Sequence, residues 1–415
     1  MKKLLSISLS VIMMASMTLT SCKEEVKIDP PVATGTVIKA GLLTANETWT
    51  ANNIYLLVGK VVVSENVTLT IEPGTIIKGK TGLGSLASAL VVARGGKLMA
   101  VGTAANPIIF TSELDNIKVG EKAGTNLLRT DNEKWGGVAL LGRAPVSTEF
   151  GDDEGNLEGI PVDEGFGLYG GTDPADNSGH LEYVSIRHCG ITIGEGNELN
   201  ALTTGGVGTG TIIRNIEIYA TLDDGLEFFG GTHNATNCLV YFQGDDGIDL
   251  DQNYSGTIEN FIVIHGDGIG TDEGLEIDGP EGTTYTDGKF TLRKGWVKNL
   301  GTDGSPADLK SGAQGTIENV KFEYGTKKLK VRASFTATCD SRGDALANLL
   351  ANPANLAVVN CEHAGATVYT SATTCATELA TAQTGANGVI ISTTVANPVN
   401  LADFSWTLAA MRGEL

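Results

Sequence analysis

The chain has 415 residues, enough for one large domain or two ordinary ones. Its 49 Asp+Glu against 29 Lys+Arg leave a formal net charge of -20, which repels phosphate backbones and sets nucleic acid aside as a partner. The 54 glycines, the few aromatics and the lack of sustained helical periodicity favour an all-β chain with many turns.

Residues 1–21 read as an export signal. Lys2 and Lys3 form a positive start, Leu4 to Met17 an apolar stretch, and "LTSC" follows, ending at Cys22. This pattern resembles a bacterial lipobox, which implies a lipidated Cys22 and anchoring to outer-membrane lipid through its acyl groups. The "KEE" at Lys23 to Glu25 resembles a signal for exposure at the cell surface. Residues 22–36 are polar and contain prolines, so they read as a flexible tether. No later stretch reaches the roughly 18 to 20 apolar residues of a spanning helix.

From Val37 the chain alternates with period two and breaks at Gly, Asn, Asp and Pro, as in "NVTLTIEPGTIIKG". Six segments align with one another, starting at Leu181, Ile213, Ala235, Ile258, Leu292 and Ile317. Their offsets are 32, 22, 23, 34 and 25. A unit of about 22–25 residues with occasional insertions predicts a parallel β-helix over 37–330, whose coils stack at about 4.8 Å. Asn215, Asn237, Asn260 and Asn319 fall in one column, where an asparagine ladder would satisfy stacked amides. Residues 331–415 are expected to hold the final coils and a C-terminal cap, with one helical piece in "GDALANLLAN" (Gly343 to Asn352).

An exported chain meets an oxidising compartment. Five cysteines follow Cys22, so at least one is unpaired. Cys238 lies at an apolar strand position and is expected to be buried. Among Cys339, Cys361 and Cys375, the expected bridge is Cys361–Cys375.

Three related acidic strings recur: "LDDGLEFFGG" from Leu222, "GDDGIDLDQN" from Gly244 and "TDEGLEIDGP" from Thr271. On successive coils, alternation turns Leu226, Phe228, Ile248, Leu250, Leu275 and Ile277 inward. Glu227, Asp249, Glu276 and Asp308 then form one outward column. Asp251, Asp278 and Lys310 form a second. Gly225, Gly247 and Gly274 share a turn position, where a positive φ is expected. Two unit charges 4.8 Å apart repel by about 0.9 kcal/mol even in water. Bound Ca²⁺ would offset this, and its expected ligands are Asp223, Asp224, Asp245, Asp246, Asp249, Asp272 and Glu276. The paired aspartates are favoured because turn carbonyls would be free beside them.

"WGGVALLG" (Trp135 to Gly142), "NELNALTTGGVG" (Asn197 to Gly208), "DDGLEFFGGT" (Asp223 to Thr232) and "DDGIDLDQNY" (Asp245 to Tyr254) occur in that order. Together they resemble a family of exported bacterial right-handed parallel β-helix proteins, many of them lipoproteins, over roughly residues 50–330. A weaker resemblance is to polygalacturonase-type glycoside hydrolases. Their Asn-Thr-Asp motif falls on Leu222-Asp223-Asp224 and keeps one acid. Their Asp-Asp falls on Asp245-Asp246 and is complete. Their His-Gly falls on Glu273-Gly274, and their Arg-x-Lys on Asp308-Leu309-Lys310, so the histidine and arginine are lost.

If the chain is an enzyme, the resemblance implies Asp224, Asp245 and Asp246 as the acids. Lys310 is then the base candidate of a Ca²⁺-assisted polysaccharide lyase, alongside Arg187 with His188. Trp135, Tyr169, Phe229, Tyr254 and Trp296 could stack on sugars, although core packing suits most of them. Since the basic partners are missing, the favoured expectation is a lipid-anchored, surface-exposed β-helix that binds a glycan or another surface ligand without catalysis. The alternative is a polysaccharide lyase or glycoside hydrolase acting on acidic glycans.

Overall fold

The computed structural model describes residues 35–149, 151–194, 197–335, 342–364, 367–370, 375, 390–392 and 394–415. The export signal, most of the tether, Cys22 and Cys339 lie outside them. The chain winds as a right-handed parallel β-helix with three faces. The first strand begins at Gly35.

The first face runs through residues 68–71, 97–101, 179–182 and 212–214 and on to Leu356. The second includes Ile108–Ser112 and residues 184–189, 216–221 and 238–241. The third runs Ala89–Val92, Gly137–Leu141, Leu202–Gly205, Leu226–Phe229, Ile248–Asp251, Leu275–Ile277, Asp308–Leu309 and Leu329–Arg332. The six segments aligned in the sequence share one column, from Leu181 through Ile213, Ala235, Ile258 and Leu292 to Ile317. Each of these residues is at most 2% exposed, so the repeat is the inward register of the first face.

From Tyr183 onward, the bend between the first and second faces takes a left-handed residue on each coil. Tyr183, Asn215, Asn237, Asn260, Lys294, Asn319 and Asn360 supply it, with φ of 51 to 58°. Asparagine tolerates that conformation better than most residues. Its side chain adds a ladder: Asn260 Nδ2 donates to Asn237 Oδ1 at 2.7 Å, and Asn237 Nδ2 to Asn215 Oδ1 at 2.9 Å.

Gly225, Gly247 and Gly274 do share a column, but none of them has a positive φ. Close packing is the reason for glycine there. A Cβ at these positions would lie 2.3 Å from Val240 Cγ1, Val263 Cγ1 and Val297 Cγ1 respectively. The turn is held tight against an inward valine on each coil.

Two excursions, residues 113–136 and 142–178, leave the coil and pack on its sides. Helix α1 (Asp344–Leu350) buries Leu346 and Leu349 in the main core beside the last coils. Helix α2 (Leu408–Met411) lies instead on the second face, where Phe404 and Leu408 pack with Tyr219, Tyr241 and Ile262. Among the described residues, no helix is long and apolar enough to cross a membrane. Cys238 is fully buried, as its strand position implied. The expected Cys361–Cys375 bridge is not formed: Cys361 is a free buried thiol, and Cys375 is disulfide-bonded to a residue outside those described.

Candidate functional site

The recurrent acidic strings meet where the second face turns into the third. Here the second aspartate of each pair has a structural task. Asn200 Oδ1 accepts the Asp224 backbone N–H at 2.9 Å, and Asp224 Oδ1 accepts that of Asp246 at 2.9 Å. Asp246 Oδ1 accepts that of Glu273 at 2.5 Å, and Ser305 Oγ donates to Glu273 Oε1 at 2.9 Å. Each side chain thus satisfies a donor one coil further along. Three of the turn carbonyls expected to be free already accept a backbone hydrogen bond. Asp224 O accepts from Ala201 N, Asp246 O from Gly225 N, and Asp245 O from Asp272 N.

The outward columns run as alternation dictates. Thr203, Glu227, Asp249, Glu276, Asp308 and Lys330 are successive neighbours, and Asp251 follows Phe229 in the next column. Charge compensation along them is one-sided. Lys310 pairs with Glu276 and lies 3.7 Å from Asp278. Lys330 pairs with Glu273, and Arg332 Nη2 holds Asp308 at 2.5 Å. At Asp223, Asp224, Glu227, Asp245, Asp246, Asp249 and Asp251, no described lysine or arginine forms an ion pair. Burial comes first, and neighbouring acids second, in holding Asp224, Glu227, Asp246 and Asp249 well above the carboxylate range. Burial and Asp245 push Asp223 to about 7, and burial and Asp251 push Asp278 to about 8.

Four groups bring three carboxylate oxygens within 4.8 Å of one another: Asp223/Asp224/Asp245, Asp224/Glu227/Asp249, Asp246/Glu273/Glu276 and Asp251/Asp278/Glu281. Six of the seven sequence-named ligands fall in these groups. Asp272 does not; it is exposed at the turn. Glu227, Glu273 and the whole Asp251/Asp278/Glu281 group were not among the expected ligands. A hard cation such as Ca²⁺ suits such all-oxygen donor sets.

Beside the columns, the 142–178 excursion folds back over the third face and leaves a groove of about 1060 Å³. Tyr169 and Phe229 stack at its floor, ring centres 5.7 Å apart. Gly205 makes room beneath, since a Cβ there would lie 2.5 Å from Tyr169 Cγ. Tyr169 OH donates to Gln252 Oε1 at 3.2 Å. Six acids line the groove: Glu149, Asp152, Asp153, Glu154, Glu158 and Glu281. Among the described residues no lysine or arginine does, although Arg94 reaches Glu154 from outside.

Residues 41–397 match the family model described as a pectate-lyase-like beta helix domain. The chain belongs to that family. Two solved forms of the Aspergillus niger pectin methylesterase also resemble this pectate-lyase-like β-helix at 12% identity. The deglycosylated form covers 83% of this chain and 87% of its own, with a TM-score of 0.27. The penultimately deglycosylated form covers 82% and 86%, with a TM-score of 0.28. Scores this low bear on neither the fold nor the site. No curated protein matches in sequence.

On this pectate-lyase-like β-helix the candidate bases are all engaged. Arg187 and His188 are neither surface charges nor site residues, since both are 1% exposed. Arg187 Nε donates to Ser185 Oγ, Nη1 donates to Lys122 O, and Nη2 lies 3.7 Å from buried Glu217. His188 Nδ1 bonds Asp131 O at 2.6 Å, and burial holds the ring at about 4. Of the named aromatics, Trp135 and Tyr254 are core, and Trp296 packs beside α2. Only Tyr169 and Phe229 line the groove. Five of the six groove acids belong to an insertion outside the repeat, so periodicity does not single them out, and Glu281 lies in the turn after the third acidic string. The cluster of five acids between Glu149 and Glu158 was the available signal.

Proposed function

We propose that this protein is an exported, lipid-anchored β-helix that sits at the cell surface through Cys22 and binds a glycan or another surface ligand without chemistry on it. Membership of a pectate-lyase-like family supports a polysaccharide-related role. One observation carries the non-catalytic half of the reading. Of the three acids an inverting hydrolase would use, Asp224 and Asp246 are occupied as backbone acceptors while Asp245 is exposed, and Lys310 is ion-paired with Glu276. General acid–base catalysis needs such groups free to reach a substrate proton. The uncompensated acids would hold Ca²⁺ as a structural ion, through Asp223, Asp224, Asp245, Asp246, Glu227 and Asp249. The ion would supply positive charge where the chain has none.

The competing reading is a polysaccharide lyase or glycoside hydrolase, which the family description keeps in view. Incubation of the purified protein with acidic and neutral polysaccharides, with and without Ca²⁺, separates the two. The expected result is retention of some polysaccharide without release of unsaturated or reducing ends. Release that is lost in Asp246→Asn, a variant that keeps the backbone acceptor, would establish the enzyme instead.

A further inference from the structure

We propose that the groove beneath the 142–178 excursion takes an amine-bearing glycan, a chain of hexosamine units with free ammonium groups. This rests on the glycan-binding reading above and names the class of glycan. The groove's volume, about 1060 Å³, exceeds the roughly 300–1,000 Å³ that encloses a drug-sized molecule. It therefore has room for more than one sugar ring, far more than a lone cation needs.

Its walls then select the charge. Five of the six lining acids have no ion-pair partner among the described residues, and only Glu154 meets an arginine. A uronate chain would bring like charge against like. A neutral sugar would leave the carboxylates uncompensated while removing their water. Ammonium groups spaced along a sugar backbone would meet the rim acids, while the C–H faces of the rings lie on Leu168 and the edges of Tyr169 and Phe229. A basic peptide is the less suitable occupant. Extended peptides gain affinity by pairing with a free strand edge. At the groove, Phe229 is already paired with Gly205 on one side and Asp251 on the other, and the separate two-stranded sheet of residues 154–156 and 168–170 offers an edge only three residues long.

The test is calorimetric titration of the full chain at low salt with a glucosamine hexamer, an N-acetylglucosamine hexamer and a lysine hexamer. The glucosamine hexamer is expected to bind at least tenfold more tightly than either of the others. A triple variant at the exposed rim, Glu149→Gln with Asp152→Asn and Asp153→Asn, is expected to lose tenfold or more while keeping its melting temperature. Equal binding of the acetylated hexamer, or of the lysine hexamer, would overturn the proposal. So would unchanged binding in the triple variant. If the glucosamine hexamer fails while another polysaccharide is retained, this inference falls and the binding reading stands. If no glycan binds, both fall.

Discussion

Asp224 accepts the Asp246 N–H while lying against Asp223 and Asp245, so its oxygen is useful and its charge is costly. The coil before it shows how the two separate. Asn200 occupies the same ladder position and accepts the Asp224 N–H with an uncharged amide. In chelator, Asp224→Asn should therefore keep the acceptor without the cost of burying a charge and leave the melting temperature unchanged or higher. Asp224→Ala should strand a buried N–H and cost about 1–3 kcal/mol. Thermal and urea unfolding of both variants measures this. With Ca²⁺ added, both variants should lose stability, because the ion needs the ionised carboxylate; equal losses already in chelator would mean that the carboxylate is required for a reason other than the ion.

At the scale of the coil, the turn is tight because three glycines let it close on three valines. Gly247→Ala would place a Cβ 2.3 Å from Val263 Cγ1 and 2.6 Å from Gly274 O, and neither has room to retreat within a stacked sheet. The expected cost is about 1–3 kcal/mol, the usual range for overpacking. Urea unfolding checks it. A neutral substitution would show that adjacent coils can separate locally, against the dense interior seen along this column.

For the molecule as a whole, its acids decide how stability follows pH. Asp223, Glu273 and Glu281 are pushed up to about 7 and Asp278 to about 8, against ordinary carboxylate values near 4. The folded chain therefore holds these protons at pH values where the unfolded chain has released them. Stability is full below about pH 4 from these groups and is lost as pH rises through 7 to 8. In chelator, the melting temperature should be higher at pH 5.5 than at pH 8.0. Added Ca²⁺ should raise it at pH 8.0, and less at pH 5.5, where protons compete for the same oxygens. A melting temperature indifferent to both pH and Ca²⁺ would remove the case for a structural ion on this face.

The sequence alone determined the coil, its inward residues and the outward acid columns. Side-chain alternation and a repeat near 22–25 residues are local properties, and stacking in register carries them from one coil to the next. The asparagine column was legible for the same reason. Contacts between distant segments decided the rest. Whether an aspartate in a pair is free depends on which N–H lies one coil away, as at Asp224 and Asp246. The reason for Gly225 lay in Val240 rather than in its own φ. Arg187 and His188 stood as base candidates in the sequence, but the 113–136 excursion and the Glu217 pair enclose them. The groove exists only because an insertion outside the repeat folds back onto Phe229. Periodicity describes what recurs, whereas a binding site forms where the chain departs from its period and packs against a surface it could meet only after folding.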